Sequence, residues 1–437
     1  METEMLDNQS LPAYVDPFLK LSEEYFSEAS HHLVKAALRV AIEKLDGMTR
    51  YDGTPLVMHS VDTATIVIRE IGLGRNSVIS TLLHDVVRLG LANLNSIGRH
   101  YGEQCIGILK GLCNISDVDT KAAENQVDNF RELIVSYASD PRVILIKLAD
   151  RLEVMRKLDM FPDEKRLKKS WESLNLYAQI AHKLGLYNVK SELEDISLKY
   201  LEPEDYNYIL RRLEDTAAER EAFIKEFVKP IEEKMKQQNF KYHLKSRTKS
   251  IYSIWRKMKR VHIGFDEVYD LFAIRIILDC PREQEKACCW AIYSIVTDFY
   301  TPNPDRMRDW ISIPKSNGYE SLHTTVVTPE GRWVEIQIRT ERMDEIAERG
   351  VAAHWRYKGI KNDGMGTEEW FSRIRELIEA TENQTRADKF NIKLTADDII
   401  ITSGGSEAVL FSFLACLNPG DEIIVPEPAY ANYMAFA

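Results

Sequence analysis

The chain's 437 residues exceed one ordinary domain and fit two or three. With 44% hydrophobic and 29% charged residues, 20 Gly and 15 Pro, it reads as globular, which excludes a collagen-like, disordered or low-complexity protein. A formal net charge of −11 argues against non-specific nucleic-acid binding and against a membrane-surface role.

No apolar run approaches the ~18–20 residues that a spanning helix needs. The first residues, METEMLDNQS, are acidic and polar where a signal peptide is basic and then apolar, so a cytoplasmic address is expected. Cys105, Cys113, Cys280, Cys288, Cys289 and Cys416 form no CxxC pair, so reduced thiols are expected rather than a disulfide scaffold or structural zinc.

Residues 18 to about 235 carry helical periodicity nearly throughout. Thr54-Pro55 opens a helix that runs through Ile71 and stops at Gly72. Asn76 or Ser77 opens another, ended by Gly90. Asp140-Pro141 precedes a helix over 142–158. Alternating strand patterns are absent here, so this region is expected to be all-α, and a charged helical stretch over 202–238 to connect it onward. From about Phe240 the pattern changes. YDLFAIRIIL (269–278), HTTVV (323–327) and RWVEIQIR (332–339) read as strands, interleaved with helices at 249–260 and 284–298. A helix over 368–382 leads into a differently composed segment, 387–437.

Two groups of residues carry chemistry. In the helical part, His59, His84, Asp85 and Asp150 fall on three separate predicted helices. Asp150 shares a face with Ile146 and Val154, and a carboxylate on an apolar face is costly unless it is paired or metal-bound. Two imidazoles and two carboxylates suit a divalent ion such as Mn²⁺. Capped or salt-bridged core polar groups would give the same pattern. In the α/β part, eight Lys or Arg and no acid lie between Lys241 and Gly264. Such a run is either a solvated helix face or a polyphosphate cradle. Downstream, Val334, Ile336 and Ile338 point to one side of their strand while Glu335, Gln337 and Arg339 point to the other. With Asp270, Glu335 gives the carboxylate pair that Mg²⁺-dependent phosphoryl or pyrophosphoryl transfer requires.

RYDGTPLVMH, LLHDVV and ILIKLADRLEVM resemble the HD-type hydrolase domain of the RelA/SpoT family, the long alarmone synthetase/hydrolases. The resemblance implies that His59, His84, Asp85 and Asp150 hold Mn²⁺ for removal of the 3′-pyrophosphate of (p)ppGpp, and that Arg50 packs on the guanine. The sequence departs from the family just after these ligands. Where the family reads HDVVED, this chain has Arg88 and Leu89 in place of the acidic pair that orients and deprotonates water. Where it reads DRLHNMRT, Val154 replaces Asn and Lys157 replaces Thr. An always-charged Arg cannot be a general base. Hydrolysis is therefore expected to be severely weakened or lost.

SRTKSIYSIWRKM, FDEVYDLFAIR, ISIPKSNGYESLHTTV, VEIQIRT and ERGVAAHWRYK resemble the synthetase motifs of the same family, in order and at matching spacing. The resemblance implies transfer of the β,γ-pyrophosphate of ATP to the 3′-OH of GDP or GTP, with (p)ppGpp as product. It assigns Mg²⁺ to Asp270 and Glu335, and polarisation of the 3′-OH to Glu335. ATP falls to Arg247, Lys249, Ser253 and Lys257. The acceptor pocket falls to Lys315, Asn317, Tyr319 and His323, and Gln337 completes the signature. Arg306-Met-Arg308-Asp309 matches the motif version that accompanies bifunctional members, which pulls against hydrolase loss.

The expected architecture is thus multidomain: an all-α HD-type hydrolase-like domain (1–200), connecting helices (201–240), a mixed α/β nucleotidyltransferase-like synthetase domain (241–365), a helix and linker (366–386) and a short α/β fragment (387–437). The last piece, with IIITSGGSEAVLFSF, resembles part of the fold-type I pyridoxal-phosphate aminotransferases, Tyr430 falling near the ring-stacking aromatic. The Schiff-base lysine of that family lies beyond the match, so no aminotransferase activity and no pyridoxal-phosphate binding are expected. The family's regulatory region is also missing, and without it neither direct nucleic-acid binding nor a membrane partner is expected. A strand pair and one helix bury too little apolar area to offset their ordering entropy. Truncation after Thr385 should leave pyrophosphotransfer unchanged and raise solubility. Loss of activity or of the melting transition would move the domain boundary.

Overall fold

A computed structural model describes residues 11–121, 140–268, 270–315 and 317–349. The chain divides into two units, 1–380 and 381–437. The expected helix over 368–382, the aminotransferase-like strands and Tyr430 lie outside the described residues. No helix among the described residues is long and apolar enough to cross a membrane.

The first part is helical. It comprises α1 (Asp16–Tyr25), α2 (Glu28–Lys44), α3 (Val57–Ile66), α4 (Arg75–Arg88), α5 (Leu94–Tyr101), α6 (Glu103–Lys121), α7 (Pro141–Arg156), α8 (Asp163–Glu172), α9 (Ala178–Lys183) and α10 (Tyr187–Leu201). Helix α3 continues as a π-turn over Val67–Ile71 and stops at Gly72, whose φ of 81° side chains rarely tolerate. Helix α4 is buried continuously from Ser77 to Val86, so it is the central member that the others surround. Helix α7 starts where Asp140 caps the Arg142 N–H ahead of Pro141. One core runs through this part, from Val15 and Phe18 to Val189 and Leu193.

Helices α11 (Pro203–Asp215) and α12 (Ala217–Gln237) follow. They do more than connect. Ile209 and Leu213 of α11 share a core with Ile251, Ile254 and Phe265, whereas Phe227, Ile231 and Met235 of α12 lie under the sheet.

The second part comprises β1 (Tyr242–Thr248), α13 (Ile251–Val261), β2 (Phe272–Leu278), α14 (Glu285–Phe299), β3 (Thr301–Pro302), β4 (Arg308–Asp309), β5 (Leu322–Val327), β6 (Trp333–Thr340) and α15 (Glu341–Arg349). The sheet order is β1-β2-β6-β5-β3, with β4 also on β5. Only β2–β6 is parallel; the other pairs are antiparallel. Ile274, Ile276, Ile336, Ile338, Leu322 and Val326 turn one face onto α12 and α14. The pattern expected a strand from Tyr269 opened by Asp270. The ladder instead begins at Phe272, opposite Thr248, and Asp270 sits in the preceding turn.

The helical part is tied to the second by Asp195 of α10, which accepts the Tyr252 N–H at 2.8 Å at the start of α13. Burial pushes the Asp195 carboxyl up to about 6 despite that bond. A proton retained above its unfolded value means that this group's contribution to stability falls as pH rises from about 4 to about 6. Asp195→Asn removes the titration and keeps an acceptor. The melting temperature of the variant, relative to wild type, should therefore shift upward between pH 4 and pH 7.5; a pH-independent difference would show that this carboxyl is not perturbed.

Two candidate active sites

In the helical domain α3, α4 and α7 converge. His59, His84 and Asp150 each offer one ligand atom, all within 4.8 Å of one another. Nδ1 of His84 lies 2.5 Å from the Thr81 carbonyl, which keeps a proton on that nitrogen and frees Nε2. His59 Nε2 lies 3.1 Å from Asp150 Oδ1. Asp85 joins through its neighbour, its Oδ1 3.5 Å from His84 Nε2, while its buried Oδ2 has no partner. A buried carboxylate oxygen without a donor beside two imidazoles and a second carboxylate fits a divalent cation.

Cations of the chain already crowd these acids. Arg88 donates to Asp85 Oδ1 from Nε at 2.9 Å and from a terminal nitrogen at 2.7 Å. Lys147 Nζ donates to Asp150 Oδ2 at 2.8 Å. Burial resists charge on both carboxyls, but Arg88 and both histidines hold Asp85 below its usual range, and Lys147 with His59 holds Asp150 well below it. For His59 burial opposes protonation, yet hydrogen bonds to Asp150 and Glu153 outweigh it and push the imidazole up to about 10. Glu153, not singled out by the sequence, is buried and binds Arg50 through two N–H groups at 2.6 and 3.1 Å. Arg50, assigned by resemblance to guanine, is thus held inside the domain. Leu89 is exposed, and Lys157 pairs with Asp62 and Glu153.

The second site lies on the face of the sheet opposite α12 and α14. Register places Arg247, Ala273, Glu335 and Thr325 in one row across β1, β2, β6 and β5. The adjacent row reads Lys245, Arg275, Gln337, His323 and Arg308. Glu335 Oε1 accepts from Gln337 Nε2 at 2.9 Å and lies 3.4 Å from His323 Nδ1. Asp270 takes Lys249 Nζ on Oδ2 and Lys257 Nζ on Oδ1, each at 2.5 Å. Burial works against ionising either acid, but the lysines keep Asp270 below its ordinary value. His323, Gln337 and the Lys249 charge do the same for Glu335. Lys249 therefore acts on both carboxylates. Ser253 sits in the first turn of α13, its hydroxyl 2.8 Å from that of Ser250. Arg247 is close enough for its charge to lower the pKa of Arg275, after the larger effects of burial and Arg339.

The loop ahead of β5 closes on Gly318, at φ 79°, with the Lys315 N–H on the Tyr319 carbonyl at 3.1 Å. Tyr319 Oη meets His323 Nε2 at 2.7 Å, and Asn317 Oδ1 accepts the Tyr319 N–H at 3.2 Å. Lys315 Nζ sits 3.9 Å above the Trp310 ring, which also meets His323 edge-on at 4.7 Å. Asn317 Nδ2 further donates to Tyr187 Oη of α10 at 3.0 Å. Trp310 and Arg275 were missed in the sequence. Trp310 falls in the one-residue gap between the quoted Arg306–Asp309 motif and ISIPKSNGYESLHTTV, and Arg275 is a charge inside an apolar strand.

Known families match both parts of the chain. Residues 37–187 match the model of the HD domain, 246–362 that of the region found in RelA / SpoT proteins, and 366–437 that of aminotransferase class I and II. The chain is 35% identical over 368 residues to the guanosine-3′,5′-bis(diphosphate) 3′-pyrophosphohydrolase of Aquifex aeolicus, covering 84% of this chain and 51% of that protein. It is 33% identical to the GTP pyrophosphokinase of Myxococcus xanthus (86% and 50%) and 34% to the bifunctional (p)ppGpp synthase/hydrolase SpoT of Escherichia coli (78% and 48%). Spanning about half the length of the curated relatives it matches, the chain is a member of the RelA/SpoT family.

Proposed function

We propose that the chain is a cytoplasmic (p)ppGpp synthetase, transferring the β,γ-pyrophosphate of ATP to the 3′-OH of GDP or GTP. The observation that carries this reading is the sheet face on which Glu335, Gln337 and His323 stand beside the lysine-held Asp270. The 3′-oxygen forms a bond to the β-phosphorus, the bond from that phosphorus to the α,β-bridging oxygen breaks, and AMP leaves. Gln337 and His323 both address Oε1 of Glu335, so its Oε2 is placed to take the hydroxyl proton. Lys249 and Lys257 meet the phosphate charge, and Tyr319 supplies an aromatic surface for the guanine. Asp270 and Glu335 offer the hard oxygen donors that Mg²⁺ prefers, and the ion when bound would offset charge on the transferred group. Glu335→Gln preserves the strand, since the residue faces away from Val334 and Ile336. It should slow pyrophosphotransfer from labelled ATP to GDP by at least ~10²-fold. A near wild-type rate would remove Glu335 from the chemistry.

The HD domain on this reading retains a pocket for Mn²⁺, which when bound would act as a Lewis acid toward a phosphoryl oxygen. What it lacks is the acidic pair. Arg88 stands in its place and grips Asp85. The pocket would then sense nucleotide and metal without cutting. The naming of several relatives as pyrophosphohydrolases favours the second reading, a bifunctional enzyme that also removes the 3′-pyrophosphate. Incubation with ppGpp and Mn²⁺ separates the two. Little release of pyrophosphate is expected from the unaltered chain, with a gain on combining Arg88→Glu, Leu89→Asp and Val154→Asn. Robust release by the unaltered chain would establish the bifunctional reading.

A further inference from the structure

Glu153 lies one turn beyond Asp150 on α7, with its side chain only 2% exposed. Its Oε2 is 2.6 Å from His59 Nδ1, and its carboxylate also takes two N–H bonds from Arg50 and lies 3.2 Å from Lys157 Nζ. The two nitrogens of an imidazole point in divergent directions. A carboxylate fixed on Nδ1 therefore turns Nε2 the other way, and here Nε2 faces Asp150 and, with His84, completes the donor cluster. Arg50, through its two N–H bonds at 2.6 and 3.1 Å, in turn fixes the position of the buried carboxylate. From the Nδ1 side Glu153 cannot also reach the ground in front of Nε2, so it does not replace the missing water-activating acids.

We infer that Glu153 is the positioning residue for the metal ligand His59, fixing the ring so that Nε2 is presented to a divalent cation while Arg50 locks the carboxylate in place. The inference rests on the reading that the HD pocket takes such a cation. Carboxylates that orient a ligating histidine typically contribute 10–100-fold to metal affinity.

The test uses the full chain and Mn²⁺ alone, titrated by calorimetry and by the loss of the free-ion paramagnetic resonance signal. Glu153→Ala should weaken Mn²⁺ binding by about 10–100-fold. Glu153→Gln, which keeps an acceptor for Nδ1–H and most of the volume, should lose about tenfold or less and covers the case in which Ala fails to fold. In the metal-free wild type, labelling of the histidine ring nitrogens should show a strongly deshielded Nδ1 proton on His59 that Glu153→Ala abolishes. A folded Glu153→Ala chain with wild-type Mn²⁺ affinity, or an unchanged Nδ1 proton signal, would overturn the inference and leave Glu153 a structural partner of Arg50. Should the wild type bind no Mn²⁺, the metal reading itself falls, and the Nδ1 signal alone decides whether Glu153 orients the ring.

Discussion

Taking a carboxylate out of water costs on the order of several kcal/mol unless a cation or donor follows it, and the chemistry of this chain is built on meeting that cost repeatedly. Asp85 has Arg88, Asp150 has Lys147, Glu153 has Arg50, and Asp270 has two lysines. Behind the loop ahead of β5, Arg342 bonds both Glu285 and Glu320, tying the residue next to Tyr319 to α14. Each pair offsets the cost of burying its carboxylate with a cation supplied by the chain itself.

The two domains meet this constraint with different cations. In the second domain Lys249 and Lys257 both hold Asp270, and the Lys249 charge also acts on Glu335. In the HD domain Arg88 holds Asp85 from a partly exposed position, whereas Arg50 is buried together with its acid.

Much of this was visible in the sequence because it is local. His84 and the apolar face around Asp150 mark, within single helices, residues that the structure brings together with His59, and alternation in VEIQIR separates Glu335 and Gln337 from the core. What lay hidden is non-local. Glu153 meets partners 94 and 103 positions away, and within its own helix it reads as one more charge. The rows that align Arg247 with Glu335, and Lys245 with His323, depend on where the β1–β2 ladder starts, and periodicity misplaced that start by including Asp270 in the strand. The helices at 203–237 read as a charged connector because their apolar residues are sparse; packing shows each lending one stripe to a core of the second domain.

Strand β6 occupies the middle of the sheet yet is the last strand made among the described residues. A nascent chain emerging from the ribosome exposes β2 long before, and β5 just before, the strand that must sit between them. Until residues 333–340 appear, both present unpaired backbone edges flanked by isoleucine and valine, the condition under which sheets recruit the wrong partner. The helical domain, complete in sequence more than a hundred residues earlier, can fold first and dock its α10 against the start of α13. Order of synthesis thus leaves the sheet of the second part open at its centre until β6, its keystone, has been made.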